Sequence, residues 1–391
     1  MSPGFPLIRR SGALRRLLML ALLLAGTAVA RAELTEVVVF RSETEGYHTF
    51  RIPAIVRAPN GDLLAFAEGR KNSRSDTGDI DLVMKRSRDA GKTWGALQIL
   101  WDDGANTCGN PCVVVDGKTG AVWLLSTHNL GTDKEDAIIH GSSNGGRTVW
   151  VLHSEDNGAT WSKPANITAT TKKPEWSWYA TGPGIGIQIQ SGPHAGRLVI
   201  PSDHNYPDST TGKSERASHA IYSDDHGATW QLGGAIKPGM NECQVVELFD
   251  GRGTLLMDMR SYRGLGQRAQ SRSTDGGATW SEAVNVPALV EPICQASILR
   301  WAKTDANQPG WLLFSNPADA KKRRNLTVRA SVDNGTTWSR SLVLHTGAAA
   351  YSSLVALSES TAACLYERSE KRPSEQIVFT RFDAQDLKPI N

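Results

Sequence analysis

One eight-residue pattern, Ser-x-Asp-x-Gly-x-Thr-Trp, constrains the fold of this 391-residue chain more than any other feature. It occurs five times, beginning at Ser87, Ser154, Ser223, Ser273 and Ser331. The copies lie roughly 50 to 70 residues apart, and near-regular spacing of this kind is typical of a chain that repeats one supersecondary unit.

Each copy has the composition of a tight β-turn. The glycine accepts a positive φ, and the aspartate side chain can bind backbone N–H groups across the turn. Strand-like runs precede the copies, as at 81–86 and 147–152, and helical periodicity is nearly absent. A unit of this length fits one propeller blade. We therefore predict an all-β fold, a six-bladed β-propeller of four-stranded antiparallel blades, formed by residues 33–391 as one domain.

The repeated aspartates are expected to support the fold and not the chemistry. Catalysis seldom needs five equivalent sites, whereas five equivalent turns need the same turn chemistry. These residues are Asp89, Asp156, Asp225, Asp275 and Asp333.

Residues 1–32 have the organisation of a signal peptide. Four arginines between positions 9 and 16 precede an uncharged apolar run at 17–30, and Ala30-Arg31-Ala32 provides a small-x-small cleavage pattern. The run is shorter than the roughly 20 residues of a membrane-spanning helix. We predict cleavage before Glu33 and export, to the periplasm or out of the cell, without a stable membrane anchor. The alternative is retention as an uncleaved anchor or a lipid-linked form.

Charge and cysteine content exclude several classes of function. The net charge of +3 includes five arginines of the leader, so the mature chain is close to −2. Such a balance does not predict a nucleic-acid surface. The five cysteines show no zinc-ligand spacing with histidine, and we expect neither a catalytic metal nor a cofactor. Cys108 and Cys112 are close enough in sequence to permit a disulfide without requiring one.

The repeats are similar to the Asp boxes of the sialidase superfamily, and further motifs follow in the order of that family. A single box would be weak support, whereas the ordered set covers essentially all of residues 35–370. The motifs lie at 47–53 (YHTFRIP), 68–76 (EGRKNSRSD), 109–112 (GNPC), 241–248 (NECQVVEL), 258–260 (DMR), 323–327 (RRNLT), 351–354 (YSSL) and 365–368 (LYER).

The resemblance implies three arginines that bind the carboxylate of sialic acid: Arg51, Arg260 and Arg323. Guanidinium groups bind carboxylates through charge-assisted, partly bidentate hydrogen bonds, which explains the residue type. Arg324 is adjacent to Arg323, and strand periodicity alone does not decide which of them faces the site.

The same resemblance assigns Tyr351 as the nucleophile. A neutral tyrosine avoids the repulsion that a carboxylate nucleophile would meet at an anomeric carbon bearing a carboxylate, and sialidases are known exceptions in this respect. A phenol needs a base, and Glu242 takes that role by resemblance, with Glu247 as its competitor. Asp76 is the implied general acid and base, with Asp79 and Asp81 as competitors.

The remaining assignments concern the supporting residues. Glu367 resembles the acid that orients Arg51, and Arg70 and Asn110 resemble contacts to the sugar ring or its N-acyl group. The aromatic residues Trp176, Trp178 and Tyr179 either line an acceptor rim or pack in the interior. Asp203 and His204 either belong to a substrate-side loop or form a polar turn.

The expected function is that of an exo-α-sialidase, a glycoside hydrolase that releases terminal α-linked sialic acid with retention of configuration. Its partners would be sialylated glycans. Three other functions are alternatives: a trans-sialidase, which would use the same residues, a non-catalytic sialic-acid-binding propeller, and an Asp-box hydrolase of neutral polysaccharides, which would use carboxylate pairs. The joint presence of Tyr351, Glu242 and Asp76 argues against the second, and the three arginines argue against the third.

Overall fold

The computed structural model describes residues 1–4, 6, 34–301, 310–370 and 374–390. The apolar run and the cleavage pattern of the predicted signal peptide lie outside these residues. The chain divides into two compact units, Met1–Glu33 and Leu34–Asn391, and every element below belongs to the second. No helix within the described ranges is long and apolar enough to cross a membrane.

The regular secondary structure of the second unit is almost entirely β-strand, so the prediction of an all-β fold is confirmed. Its helical elements are short: α1 (Glu135–Ile139), α2 (Thr168–Thr171) and a 3₁₀ turn at Ala384–Asp386. The first strands are β1 (Glu36–Arg41), β2 (Thr49–Arg57), β3 (Leu63–Arg70), β4 (Ile80–Ser87), β5 (Gln98–Trp101), β6 (Thr107–Val115), β7 (Val122–Asn129), β8 (Thr148–Ser154), β9 (Ala165–Asn166), β10 (Tyr179–Thr181), β11 (Gly184–Ile185), β12 (Ile187–Gln188) and β13 (Leu198–Pro207). The remaining strands are β14 (Ser214–Ser223), β15 (Gln231–Ile236), β16 (Met240–Glu247), β17 (Leu255–Ser261), β18 (Gln267–Ser273), β19 (Val284–Val290), β20 (Ser297–Trp301), β21 (Trp311–Pro317), β22 (Arg324–Ser331), β23 (Arg340–Ala356), β24 (Thr361–Ser369), β25 (Gln376–Asp383) and β26 (Lys388–Pro389).

The strands pair within four sheets, in antiparallel fashion except where β6 pairs with β4 and with β11. One sheet runs β2-β3-β4-β6-β7-β8-β9, with β5 on β4 and β11 on β6. A second runs β10-β13-β14-β15, with β12 also on β13, and a third runs β16-β17-β18-β19. The fourth runs β1-β25-β24-β23-β22-β21-β20, with β26 on β23. The strand nearest the N-terminus of the unit therefore pairs with one of the last.

The five repeated boxes share one hydrogen-bonded turn, and the first copy illustrates it. The Ser87 hydroxyl accepts from the Gly91 N–H at 2.8 Å and donates to Asp89 Oδ1. Asp89 in turn accepts from the backbone and the hydroxyl of Thr93. The two residues after each aspartate both have positive φ, which is 58° at Ala90 and 86° at Gly91. This geometry agrees with the turn chemistry read from the sequence.

Each box also packs against a neighbouring part of the molecule. A Cβ at Gly91 would lie 2.0 Å from the Phe379 ring of β25, so only glycine allows this approach. The equivalent positions in the second and third boxes face Leu64 of β3 and Trp123 of β7. Each of these turns therefore closes its own hairpin and also packs against strands elsewhere in the chain. The second and third boxes contact strands that precede them, and the first contacts a strand near the C-terminal end.

Candidate active site

Eight of the nine predicted site residues line one open cavity of about 160 Å³, although they come from distant parts of the chain. The carboxylate of the ninth, Glu367, lies behind one wall and hydrogen-bonds to Arg51. The eight are Arg51, Arg70, Asp76, Asn110, Glu242, Arg260, Arg323 and Tyr351.

Tyr351 and Glu242 form a short hydrogen bond within the cavity. The Tyr351 hydroxyl donates to Glu242 Oε1 at 2.6 Å, and Arg260 Nη1 donates to Glu242 Oε2 at 2.7 Å. Burial and the neighbouring Glu242 raise the pKa of Tyr351 well above its usual value, against the effect of three arginines. The phenol is therefore neutral in the free site, with a carboxylate in place to accept its proton.

Glu247, the competitor of Glu242 in the sequence, lies in a different environment. Its carboxylate accepts from the Gln190 N–H and the Ser191 hydroxyl, both at 2.6 Å, and it does not line the cavity.

Arg51 is oriented by a buried carboxylate. Its Nε and Nη2 donate to the two oxygens of Glu367 at 3.1 and 3.2 Å, and Glu367 Oε1 also accepts from the Ile52 N–H at 2.9 Å. Ile52 has a φ of 59°, a strained value for a β-branched residue. Glu367 therefore binds the Arg51 side chain and the adjacent backbone together, which fixes the direction in which the guanidinium faces the cavity.

Arg323 and Arg324 face different surroundings. Arg323 lines the cavity, and its Nη2 donates to the Ile293 carbonyl at 3.0 Å. The Arg324 side chain is 52% exposed and pairs with Asp319 instead. The guanidinium carbons of Arg51 and Arg323 lie 5.0 and 5.8 Å from the centre of the Tyr351 ring, so the arginines surround the phenol.

Asp76 lies at the mouth of the cavity, with a side chain that is 63% exposed. Its Oδ1 lies 2.7 Å from Arg70 Nη1 and 3.3 Å from Arg51 Nη1. Desolvation raises the pKa of Asp76, but the charges of Arg70, Arg51 and Arg147 and the hydrogen bond from Arg70 together outweigh it, so the pKa is below its usual value. Asp79 and Asp81, its competitors in the sequence, both pair with Lys71.

A polar wall that was not identified from the sequence lies beside Arg70 and Asn110. Glu68 accepts from Arg70 Nη2 at 2.6 Å and from the Asn110 N–H at 2.8 Å. The Asn110 side-chain oxygen accepts from Arg147 Nη2 at 2.5 Å, and the Arg147 guanidinium covers the Trp178 ring at 3.9 Å. The 68–76 motif contains Glu68, but no sequence pattern pointed to Arg147.

The weaker candidates are mostly interior residues. Trp176 and Tyr179 are buried, and Trp176 stacks on the equally buried His204 with 3.4 Å between ring centroids. These observations favour packing for both aromatic residues. Trp178 and Asp203 do line the cavity, and Asp203 accepts from Asn241 Nδ2 at 2.7 Å.

A partly exposed aromatic residue at the cavity was missed by the sequence reasoning. Tyr262 lines the cavity, and its hydroxyl accepts from Arg260 Nη2 at 2.7 Å. It lies two residues beyond the DMR motif and belongs to no pattern, so no sequence signal identified it.

The described residues contain no cluster of three or more His, Cys, Asp or Glu side chains that could hold a metal ion. All five cysteines are buried thiols, and Cys108 and Cys112 are not joined. The site consists of guanidinium, carboxylate and phenol groups. Such groups can bind an anion, exchange protons and provide an oxygen nucleophile.

Comparison with known proteins identifies the family. A family model described as a BNR repeat-like domain matches residues 61–364. The chain is 35% identical over 341 residues to a sialidase of Micromonospora viridifaciens, covering 83% of this chain and 50% of that protein. It is 32% identical over 401 residues to human sialidase-3, covering 89% of this chain and 92% of the human protein.

A solved structure gives the same assignment. The Hadza microbial sialidase Hz136 superimposes with a TM-score of 0.78 at 32% identity, covering 90% of this chain and 69% of that one. The present chain spans only half the length of the Micromonospora relative. The resemblance read from the motifs is nevertheless confirmed, and the chain belongs to the sialidase family.

Proposed function

We propose that the protein is an exo-α-sialidase that hydrolyses terminal α-linked sialic acid from glycoproteins, glycolipids and oligosaccharides. The observation that carries this proposal is the 2.6 Å hydrogen bond between Tyr351 and Glu242 in a cavity that three arginines also line. A carboxylate-bearing sugar matches the arginines, and the phenol–carboxylate pair provides an activated nucleophile that is neutral before the reaction.

The first half-reaction forms a bond between the Tyr351 oxygen and the anomeric carbon. The phenol proton passes to Glu242 as the glycosidic bond breaks, and Asp76 protonates the departing oxygen. Arg51, Arg260 and Arg323 bind the substrate carboxylate throughout. Only the part of this interaction that strengthens in the transition state increases the rate.

The second half-reaction releases the sugar. Asp76, now a carboxylate, removes a proton from water as the water attacks the anomeric carbon and the tyrosyl bond breaks. Glu242 returns its proton to the Tyr351 oxygen. Two displacements at the same carbon retain the configuration.

Six blades account for the sheet topology and for the contacts of the boxes. The blades are β2–β5, β6–β9, β10 to β15, β16–β19, β20 to the first half of β23, and the second half of β23 with β24, β25 and β1. Successive boxes face the preceding blade, and the first faces Phe379 of the last, as expected for a closed ring. We propose a β-propeller with its site at the centre, because the site residues come from inner strands of several blades.

We also propose that the protein is exported, because residues 1–32 have the organisation of a signal peptide. With residues 1–32 removed, the enzyme would meet its sialylated glycans in the periplasm or outside the cell.

Release of a fluorescent phenol from its α-glycoside of N-acetylneuraminic acid tests the hydrolase proposal. We expect turnover by the wild type and near-complete loss in Tyr351→Phe and Asp76→Ala with the fold intact. Absence of release by folded wild-type protein would contradict the proposal. A trans-sialidase, the alternative function, would instead form a new sialoside when lactose is supplied as acceptor.

A further inference from the structure

Residues 291–295 (EPICQ), which connect β19 to β20, contact the surroundings of three proposed functional residues. Glu291 Oε1 accepts from the N–H of Ser261, the residue after Arg260, at 2.7 Å. The Ile293 carbonyl accepts from Arg323 Nη2 at 3.0 Å. No side chain of this segment takes part in the proposed mechanism, although the segment links two of the carboxylate-binding arginines.

The same segment also contacts the nucleophile and its strand. Cys294 is buried against Ile52 and Tyr351 in one small apolar cluster. The Gln295 side chain accepts from the Ser352 N–H and donates to the Ser352 carbonyl, both at 2.9 Å. Displacement of the segment would therefore affect the residue beside Arg51, the support of Arg323 and the strand that carries Tyr351.

A single buried arginine anchors the segment. Arg268 has no exposed side-chain surface, and its Nη1 donates to Glu291 Oε2 and to the Cys294 carbonyl, both at 2.7 Å. Its Nε donates to Asp258 Oδ1 at 2.7 Å, and Asp258 lies on the strand of Arg260, two residues before it. Arg268, which does not line the cavity, thus connects the 291–295 segment to that strand.

The backbone of the segment needs such an anchor. Ile293 has a φ of 54°, which is unfavourable for a β-branched residue and persists where the surrounding contacts enforce it. Arg268 hydrogen-bonds to Glu291, before Ile293 in the sequence, and to Cys294, after it. The carbonyl that accepts from Arg323 is that of Ile293 itself.

The anchor consists of buried charged groups, which favours a role in positioning the 291–295 segment over a role in stabilising the fold. Asp258, Arg268 and Glu291 are all within 1% of complete burial. Removing three charged groups from water is expensive, and apolar replacements of such triads are often neutral or stabilising. Burial raises the pKa of both carboxyl groups, and the positive charge of Arg268 opposes that rise.

We propose that Arg268 and Glu291 are positioning residues that set the spacing of Arg260 and Arg323 for the carboxylate of the sugar. This inference rests on the proposed function, since it names the same carboxylate. A displacement on the order of 1 Å costs a positioned site much of its effect. Loss of the anchor should therefore weaken the binding of the carboxylate more than it slows the chemical step.

Calorimetric titration with the 2,3-didehydro analogue of N-acetylneuraminic acid, combined with steady-state kinetics, tests the inference. For Arg268→Met we expect Kd and KM to rise at least tenfold while kcat falls less than threefold. Glu291→Gln keeps an acceptor for the Ser261 N–H but loses the charge that faces Arg268, so a smaller rise in the same direction is expected.

Arg86→Met is the matched control. Arg86 is a mostly buried arginine that pairs with Asp62 at 2.8 Å, and neither residue lines the cavity. Its loss should reduce stability without changing Kd. The inference fails if folded Arg268→Met keeps wild-type Kd and KM, or if Arg86→Met shifts them equally.

Two further outcomes also test the inference or the proposed function on which it rests. If Arg268→Met does not fold, Glu291→Gln decides, and an unchanged Kd in that variant overturns the inference. If the wild type itself binds no analogue, it is the proposed function that fails.

Discussion

The Tyr351 hydroxyl and the Glu242 carboxylate lie 2.6 Å apart although 109 positions separate them in the sequence. Arg260 binds the other carboxylate oxygen at 2.7 Å, so Glu242 Oε1 stays directed at the phenol. Arg260 therefore has two functions in the proposed mechanism, because it orients the base as well as binding the substrate carboxylate.

Replacement of Glu242, the proposed base, should lower kcat more than it raises KM. Glu242→Gln keeps the size of the side chain but cannot accept the phenol proton, so we expect kcat to fall by about 10² to 10⁴. The double variant, Glu242→Gln with Tyr351→Phe, should be only slightly less active than Tyr351→Phe alone, because residues that act as a unit have non-additive effects. Steady-state kinetics of the two single variants and the double variant measure this.

Glu247→Gln is the control for that experiment. Glu247 lies on the same strand, β16, but its carboxylate faces Gln190 and Ser191 outside the cavity. Its kcat should equal that of the wild type. Fully additive losses in the double variant, or an equal loss in Glu247→Gln, would contradict the assignment of Glu242.

Removal of Glu367 should affect both stability and binding. Its side chain is 3% exposed and that of Arg51 is 13% exposed, so Glu367→Ala leaves a nearly buried guanidinium without its main partner. Breaking such a pair typically costs about 3 to 5 kcal/mol of unfolding free energy. Urea denaturation should show a loss of this order, and KM should rise because Arg51 is no longer held in place. Wild-type KM in Glu367→Ala would rule out the orienting role.

The fold class could be predicted from the sequence directly, whereas the site could be predicted only through the family motifs and only in part. The repeated boxes predicted an all-β fold because the turn chemistry of Ser, Asp and Gly is local and needs no tertiary information. Arg51 and Glu367, by contrast, lie 316 positions apart, and only the family motifs related them. Arg147, Tyr262 and the Arg268–Glu291 pair belong to no motif that was identified.

The remaining residues could not be assigned from the sequence, because their roles depend on what their side chains contact in the fold. An aromatic run such as Trp176 to Tyr179 has the same composition at a rim and in a core. Trp178 lines the cavity with the Arg147 guanidinium over its ring, whereas Trp176 packs on His204. Side-chain environments of this kind depend on strands that are remote in sequence.

The Asp boxes should contribute to stability and not to turnover. In the fifth copy, Asp333 accepts from the Thr337 N–H at 2.8 Å and from the Thr337 hydroxyl at 2.7 Å. Asp333→Ala removes both bonds and the one that Asp333 accepts from the Ser331 hydroxyl, much like the loss of a capping residue, and should lower the unfolding free energy by about 1 to 2 kcal/mol. Thermal unfolding measures the loss, and kcat and KM should remain unchanged below the transition. A lower kcat in the folded variant would show a function for the box beyond its turn.

The charge around Asp76 predicts how the rate depends on pH. Arg70 and Arg51 hold the pKa of Asp76 below its usual value in the free site, yet a general acid must be protonated. In the proposed mechanism the substrate carboxylate binds Arg51, which should neutralise part of that positive charge and raise the pKa of Asp76. The alkaline limb of kcat, which reports the complex, should therefore lie at higher pH than the corresponding limb of kcat/KM, which reports the free enzyme.

Arg70→Gln should move both limbs upward in pH. Arg70 is the nearer cation, at 2.7 Å, and removing it raises the pKa of Asp76, so a larger protonated fraction persists at each higher pH. Lys71→Gln removes the neighbouring positive charge, but Lys71 pairs with Asp79, Asp81 and Asp102 and makes no ion pair with Asp76. The limbs of this control should stay where they are in the wild type. If the limb in Arg70→Gln stays in place or moves downward, Asp76 is not the group whose protonation limits the rate at high pH.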